Sequence, residues 1–402
     1  MKLLKHSLFT ASILLGLASA SHAQTHLRIT GAQAFRGAAH AAILHILDPG
    51  TFTYAYQGTD ISQANVAIFT GSVSGNPVII KTDLIGSEGG IQVVSHQDAI
   101  GFLADNVPQS AGGTANATTT LADSSIPDVA LTDSFQSSSF FFGTFKGKFY
   151  PTLNDQLIGI FAEVFVASKS APNGLTNITT QQAQNLFTAG KVQLSVFTGN
   201  PADTAPVIST GRDTDAGVRL TALAELGLGS TSNVKQYQPS TSGNAIITTS
   251  GGAISKALVW PASTVQGIGV AAFNGGYSKG SQLAAALGNT SDTQTVYAAN
   301  GTTVVGNGGF YISYLATPDA ETIAVPAGAV ELTYNGVPYS VQNVQQGRYT
   351  LWAYGHLDYQ PSLSGVAKTV ADALATQLIN VDAPILLGSM AVGRSTDGAK
   401  VQ

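Results

Sequence analysis

The feature that most restricts the fold of this 402-residue chain is a local pattern that occurs three times. Each copy has a strand-like apolar run, a turn of small residues and the start of a helix. Strands that alternate with helices in this way predict an α/β fold with parallel strand pairing. The three turns are Gly31–Phe35, Gly86–Gly90 and Gly211–Gly217.

Five further segments have a readable pattern, and a long stretch between them does not. We predict strands at 128–131, 158–167 and 349–356 from their apolar, β-branched and aromatic residues. We predict helices at 180–189, capped by Thr179 or Thr180, and at 364–378. Residues 230–326 are rich in Gly, Ser, Thr and Asn with short apolar runs, which indicates a loop-rich segment, and we assign no repeat there.

The amino terminus has the layout of a secretory signal. Residues 1–23 contain an early basic part with Lys2 and Lys5, an apolar stretch, and a final Ser21-His22-Ala23. We therefore expect a periplasmic or secreted protein. Removal of this segment leaves 379 residues, a length that favours two domains.

Composition excludes several classes of function. The chain has no cysteine, so disulfides, thiolate metal sites and a lipid-modified N-terminal cysteine are ruled out. Its formal charge of −5 and its lack of basic runs argue against nucleic acid or an anionic membrane as a partner. Outside the signal we find no uninterrupted apolar run of membrane-spanning length, so we expect no stable membrane insertion.

The three turns are candidate sites for an anion. A helix start has unpaired N–H groups and the positive end of its dipole, and parallel strands place such turns along one edge of a sheet. Asp133 and Arg212 each follow a predicted strand. A guanidinium suits an oxyanion, and a carboxylate beside it accepts a hydrogen bond from an oxyanion that carries a proton, as phosphate does. The alternative is structural: Asp133 caps its turn and Arg212 pairs with Asp213 or Asp215.

Four blocks of the sequence resemble the periplasmic phosphate-binding proteins of ABC transporters, which have a type II periplasmic-binding-protein fold. They follow the order of that family, and 349–356 is similar to the later strand that returns its chain to the first lobe. Most residues between 226 and 347 match no part of the family pattern. The blocks are Ile29–Phe35, Gly86–Ile91, Asp128–Ser134 and Gly211–Arg219.

The resemblance implies a set of oxyanion-binding groups. They are the amides of Ala34 and Phe35, the side chains of Ser87, Asp133 and Arg212, and the turn Ala216-Gly217-Val218. Ala216 and Val218 replace hydroxyl residues of the family, and the two lost donors would weaken phosphate binding by about one to two orders of magnitude. Asp213 and Asp215 would also repel an anion unless Arg212, Arg219 or Arg36 offsets them.

The resemblance further implies an α/β chain of two lobes joined by two crossing strands, near 158–166 and 349–353. Lobe I would comprise 24–160 and 350–402, and lobe II would comprise 161–349. The expected function is capture of a small oxyanion, first of all phosphate, in the cleft for an ABC permease, with no catalytic residue, metal or cofactor.

Two other functions stay open. One is a secreted adhesive or matrix protein on the same fold, which the Gly, Ser, Thr and Asn content favours. The other is a hydrolase of phosphate esters, which requires a metal cluster or an activated nucleophile. The seven histidines form no pair at metal-ligand spacing, since His40 and His45 are five residues apart on a predicted helix.

Overall fold

The computed structural model describes residues 24–402, so the predicted signal at 1–23 lies outside the described residues. The strands of the described part are β1 Thr25–Gly31, β2 Thr53–Tyr56, β3 Val66–Val73, β4 Asn76–Asp83, β5 Ile100–Phe102, β6 Asp123–Ser125, β7 Val129–Thr132, β8 Gly143–Phe145, β9 Lys148–Tyr150, β10 Asn154–Ala167, β11 Asn177–Ile178, β12 Lys191–Gln193, β13 Pro206–Ser209, β14 Tyr237–Ser240, β15 Lys256–Val259, β16 Ser263–Val265, β17 Ile268–Val270, β18 Thr295–Tyr297, β19 Val304–Asn307, β20 Phe310–Ala316, β21 Val330–Glu331, β22 Thr333–Tyr334 and β23 Trp352–Tyr359.

The α-helices of the described part vary from one turn to 13 residues, and short 3-10 and π turns extend several of them. They are α1 Arg36–Ile46, α2 Ser87–His96, α3 Thr180–Ala189, α4 Ser195–Thr198, α5 Gly217–Glu225, α6 Gly280–Leu287, α7 Thr317–Asp319, α8 Val341–Gln345 and α9 Gly365–Gln377.

One large sheet runs through the molecule, in the order β12-β13-β20-β10-β23-β7-β1-β4-β3-β2, with β21 added beside β10. The helix α3 begins with the predicted cap: Thr179 and Gln182 form a reciprocal capping box. The strand–turn–helix units at β1–α1, β4–α2 and β13–α5 are confirmed. The result is a mixed α/β fold with a large central sheet.

The expectation of parallel pairing is correct for part of this sheet. Strand β1 is parallel to β4 and β7, and β13 is parallel to β20. Strands β3 and β4 are antiparallel because the turn of Ser74 and Gly75, both with positive φ, closes a hairpin between them. Strand β2 also pairs antiparallel with β3. The long strands β10 and β23 also pair antiparallel with each other.

Two large clusters of buried apolar residues divide the chain into two lobes, which we call lobe I and lobe II. The core of lobe I contains residues from the segments 27–161 and 357–378. The core of lobe II contains residues from 160–354 and Ile385. Strands β10 and β23 contribute to both cores, so they are the two strands that cross between the lobes.

The segment 230–326 contains regular structure that the sequence pattern did not predict. It has a four-stranded sheet of β14, β15, β18 and β19, a hairpin of β16 and β17, and helix α6. It also contains the seven-residue strand β20 of the large sheet. Its other strands are three or four residues long, and runs of that length show no period that distinguishes them from loops.

The last twenty residues pack against both lobes. Ile385 forms a bridge to Ile160, Asp397 accepts a hydrogen bond from the Phe135 amide at 2.9 Å, and Arg394 contacts Glu225 of α5 at 3.2 Å. Among the described helices, none has the length and apolar character needed to cross a membrane.

Candidate functional site

Two of the three predicted turns meet at the edge of the lobe I sheet where β1, β4 and β7 end. The Gly86 amide donates to the Gly31 carbonyl at 2.8 Å, and the Ala32 amide donates to the Leu131 carbonyl at 2.7 Å. A Cβ on Gly31 would lie 1.9 Å from the Leu131 carbonyl oxygen, and its φ is +120°. A glycine is therefore required at this meeting point for both space and conformation.

The third turn reaches the same place from lobe II. The Ser87 hydroxyl, at the start of α2, donates to Oδ1 of Asp133 at 2.5 Å. Gly217, at the start of α5, lies directly against both groups: a Cβ there would be 1.6 Å from Asp133 Oδ1 and 2.6 Å from Ser87 Oγ. Three predicted site residues from three segments are thus in one contact group between the lobes.

Asp133 has an unusual electrostatic environment. Its side chain is buried, and burial raises the pKa of its carboxyl above the ordinary value, while the Ser87 hydrogen bond and the charge of Arg212 lower it. The carboxyl accepts a hydrogen bond in this position, as its Oδ1 does from Ser87. That chemistry fits the pairing with a protonated oxyanion that the sequence predicted.

Arg212 is fixed by the backbone of lobe II. Its Nε donates to the Tyr277 carbonyl and its Nη2 to the Ser278 carbonyl, both at 3.0 Å. Neither Tyr277 nor Ser278 belongs to a block that the sequence singled out. The alternative pairing of Arg212 with Asp213 or Asp215 is not formed as an ion pair among residues 24–402.

The start of α1 is built differently from the implied site. The Phe35 amide donates to the Ala32 carbonyl at 3.2 Å, and the Phe35 ring packs on Phe161 in the lobe I core, with centroids 4.1 Å apart. Ala34 lines a cavity of about 220 Å³ together with Arg36 and Asp319. The contacts of Ala34 and Phe35 are thus with the lobe I core and this cavity, and within residues 24–402 the structure does not join them to the group of Ser87, Asp133 and Gly217.

Arg36 connects the lobes at that cavity. Its Nη2 lies 3.0 Å from Oδ1 of Asp319, and both side chains are less than a tenth exposed. A buried ion pair of this kind is costly to break because each charge is left without a partner. Arg36 is consequently engaged with Asp319 and is not available to offset Asp213 or Asp215.

The turn 216–218 contributes backbone and apolar side chains. Ala216 is the N-cap of α5 and has no side-chain cap, and Val218 is buried in the lobe II core. Arg219 donates to the Arg212 carbonyl at 2.9 Å and to the side chain of Asn274 at 2.5 Å. Arg219 is thus used to brace the loop that carries Arg212.

The N-terminus of α2 has a carboxyl partner, and that carboxyl comes from lobe II. Oδ1 of Asp215 accepts the Gly89 amide at 2.7 Å, and the Asp215 carbonyl accepts the Glu88 amide at 3.3 Å. Burial, followed by the charges of Asp213 and Glu88, raises the pKa of Asp215 well above its ordinary value. From the sequence, Asp215 was expected to repel an anion. Its contact with the start of α2 joins residues far apart in sequence and is seen only in the folded chain.

A second carboxyl at this edge was missed by sequence reasoning. Glu88 is fully buried, and its Oε2 accepts the Ser139 hydroxyl and the Phe140 amide, both at 3.0 Å. Burial raises the pKa of Glu88 to about 7. The available signal was the acid inside Gly86-Ser87-Glu88-Gly89-Gly90, since a charged residue inside a glycine turn needs a specific partner.

No family model matches this sequence, and no curated protein matches it either. Solved structures do resemble its fold. One is the substrate-binding protein assigned to phosphate ABC transport in Clostridium perfringens, solved with bound phosphate: 12% identity, TM-score 0.47, with 90% of this chain and 100% of that one covered. An ABC-type phosphate transport receptor from Vibrio cholerae has 11% identity and a TM-score of 0.45, with 90% and 99% covered.

Another neighbour is the regulatory domain of CcmR from Synechocystis in complex with 2-PG, at 9% identity and a TM-score of 0.40, with 89% and 99% covered. Phosphate-binding proteins of ABC transporters, the family that the four sequence blocks resemble, are therefore among the structural neighbours of this chain. These three structures are each less than 25% identical to this chain and have TM-scores below 0.5, so the site rests on the contacts of this chain alone.

Proposed function

We propose that the protein is a secreted solute-binding protein whose two lobes close on an oxyanion, with phosphate as the first candidate, for delivery to an ABC permease. In this proposal lobe I comprises 24–160 and 350–402, and lobe II comprises 161–349. One observation supports it above the others: the starts of α2 and α5 come from opposite lobes and each faces a buried carboxyl of the other lobe, Asp215 and Asp133.

The proposed ligand groups follow from the contacts of Asp133. Ser87 and the helix-start amides would donate to the oxyanion, Arg212 would supply positive charge, and Asp133 would accept the proton of the ligand. A fully ionised oxyanion such as sulfate leaves Asp133 with no hydrogen to accept, so the site should prefer phosphate. Ala34, Phe35, Ala216 and Val218 remain proposed through their backbone amides, and Gly217 through its approach to Asp133. The Phe35 and Ala216 amides donate to the Ala32 and Asp213 carbonyls in the closed chain, so in this proposal they turn to the oxyanion when it binds.

Ligand entry requires movement of the lobes. Asp133 and Gly217 are in direct contact, so an oxyanion can enter between them when the lobes separate at the two crossing strands. The mechanism is binding followed by hinge closure, without making or breaking a covalent bond. Export and a periplasmic or secreted location are part of the same proposal.

Calorimetry on residues 24–402 with phosphate, sulfate and molybdate at neutral pH tests this function. We expect one phosphate per chain, weak or no heat with sulfate, and loss of phosphate binding in Arg212→Ala and Asp133→Asn. Arg348→Ala, which removes an exposed arginine, is the matched control and should bind as the unmodified chain does. Equal binding by Asp133→Asn and the unmodified chain would refute the role of Asp133.

One observation favours a second candidate, a secreted adhesive or matrix protein on the same fold. Asp215 occupies the start of α2, and Arg36 is paired with Asp319, so the interface is closed by groups of the chain itself. For this candidate none of the three oxyanions would produce a heat of binding, and Arg212→Ala would alter stability alone.

A further inference from the structure

We propose that Asp215 is an intramolecular occupant of the anion site, which holds the cleft closed without solute and competes with an oxyanion for the start of α2. This inference rests on the proposed oxyanion function and names the residue that sets its affinity. Asp215 is placed three residues after Arg212 and directly before the N-cap of α5, so it moves with lobe II.

The fit of Asp215 to lobe I is specific. Gly86 is the N-cap of α2 with a φ of +117°, and a Cβ on Gly86 would lie 2.5 Å from Oδ2 of Asp215. The glycine therefore provides the space that the carboxyl fills. With Oδ1 on the Gly89 amide and the Asp215 carbonyl on the Glu88 amide, two of the unpaired N–H groups in the first turn of α2 are satisfied by one residue.

An external oxyanion needs these same amides. When a group of the chain itself occupies a site, an external ligand can bind only the molecules in which the site is free. The apparent affinity for the ligand is then the intrinsic affinity multiplied by that free fraction. Charged groups surround Asp215 on both sides: Asp213 and Arg212 on its own loop, and Glu88 on α2. The two nearby acids disfavour an ionised Asp215 and also a multiply charged ligand, so the site selects an oxyanion of low charge.

Asp215→Ala removes the occupant and tests the inference. Asp215→Ala removes the carboxyl from the Gly89 amide and leaves the carbonyl of residue 215 on the Glu88 amide, so one hydrogen bond is lost. We therefore expect Asp215→Ala to bind phosphate about two- to tenfold more tightly. Asp215→Asn keeps an acceptor at the same position and should bind nearly as the unmodified chain does. Asp292→Ala, which removes an exposed acid of lobe II, is the matched control with unchanged affinity.

Amide exchange supplies a readout that needs no ligand. In the ligand-free chain the Gly89 amide should be protected by Asp215, and protection should fall at least tenfold in Asp215→Ala. The Gly90 amide, which donates to the Gly86 carbonyl inside the same helix at 2.9 Å, should keep its protection and shows that α2 is folded. Phosphate should restore protection of Gly89 in the variant.

The possible results separate this inference from the proposed function. Tighter phosphate binding together with loss of Gly89 protection supports both. Equal affinity in Asp215→Ala and the unmodified chain overturns the inference while the oxyanion function stands. If Gly89 loses protection in the variant but no oxyanion binds either protein, the proposed function fails and Asp215 is still the group that closes the cleft.

Discussion

Asp133 and Gly217 face each other across the two lobes with no room for a side chain at position 217. A Cβ on Gly217 would lie 1.6 Å from Oδ1 of Asp133. Asp215 and Gly86 repeat the arrangement in the opposite direction, since the carboxyl belongs to lobe II and the glycine to lobe I. Each lobe thus presents a carboxyl to a glycine at a helix start of the other lobe, and closure depends on both glycines.

Gly217→Ala should prevent this closed contact. The added methyl group meets the Asp133 carboxylate, so we expect either a shift of α5 or separation of the lobes, with a loss of about 1–3 kcal/mol in the free energy of unfolding. Urea denaturation measures the loss, and calorimetry should show weakened phosphate binding. Gly174→Ala is the matched control, because a Cβ at Gly174 meets no atom within 4 Å. Equal losses in the two variants would contradict the steric argument.

The ion pair of Arg36 and Asp319 should be strongly coupled. Arg36→Met leaves the buried Asp319 without its partner and should lower the free energy of unfolding by about 3 kcal/mol or more. The double variant Arg36→Met with Asp319→Leu removes both charges and should be more stable than Arg36→Met alone.

The exposed pair of Lys368 and Asp372 is the comparison for that cycle. Lys368→Met should change stability by about 0.5 kcal/mol or less, because solvent screens an exposed pair. Urea denaturation of the unmodified chain, Arg36→Met, Asp319→Leu and the double variant gives the coupling energy of Arg36 and Asp319. A double variant less stable than Arg36→Met would show that Asp319 stabilises the fold through other contacts.

Glu88 should make stability depend on pH. Its pKa is raised from 4.5 in the unfolded chain to about 7 in the folded one, so its contribution is fully present below pH 4.5 and is lost as the pH rises through 7. The shift corresponds to roughly 3 kcal/mol between these limits. Glu88→Gln is neutral at every pH and should lack this loss.

Urea midpoints at pH 5, 6, 7 and 8 test this dependence. The unmodified chain should become less stable relative to Glu88→Gln as the pH rises. Glu321→Gln, which changes an exposed acid, should follow the unmodified chain. Parallel curves for the unmodified chain and Glu88→Gln would mean that Glu88 is ionised throughout.

Ala216→Ser should stabilise α5. Ala216 is an N-cap without a side-chain hydrogen bond, and a serine there can accept a backbone N–H of the first turn, a gain of about 1 kcal/mol. Val218→Thr should have the opposite effect, because Val218 is 5% exposed in the lobe II core and a hydroxyl there has no partner. Thermal denaturation distinguishes the two. A lower melting temperature for Ala216→Ser would contradict the capping argument.

The sequence predicted elements wherever its pattern was long or had a recognisable boundary. Helix α3 has the predicted bounds because Thr179 and Gln182 cap it locally. The hairpin of β3 and β4 was missed although Ser74 and Gly75 mark its turn, and so the pairing in that part of the sheet was expected to be parallel. Strand β15 pairs with β18, which is distant in sequence, and a local pattern cannot indicate such a partner. The hairpins β16–β17 and β18–β19 are local, but their strands are too short to show a period.

The candidate site was predicted in part. Ser87, Asp133 and Gly217 come together because each ends a strand or begins a helix, and those positions can be recognised from residue types. The partners of Arg212 and Arg36 were not predictable: Tyr277 and Ser278 belong to a loop, and Asp319 ends the three-residue helix α7, which is too short to show a pattern.

From its residues alone, this chain specified three strand–turn–helix units, the glycines that permit close approach, and the acid and arginine that follow two of the strands. These features depend on backbone conformation and local capping, which neighbouring residues determine. Only the tertiary structure decided that Asp215 binds the start of α2 and that Asp133 lies against Gly217. Those contacts depend on how two crossing strands orient one lobe on the other, and that orientation is the sum of many packing contacts between residues far apart in sequence.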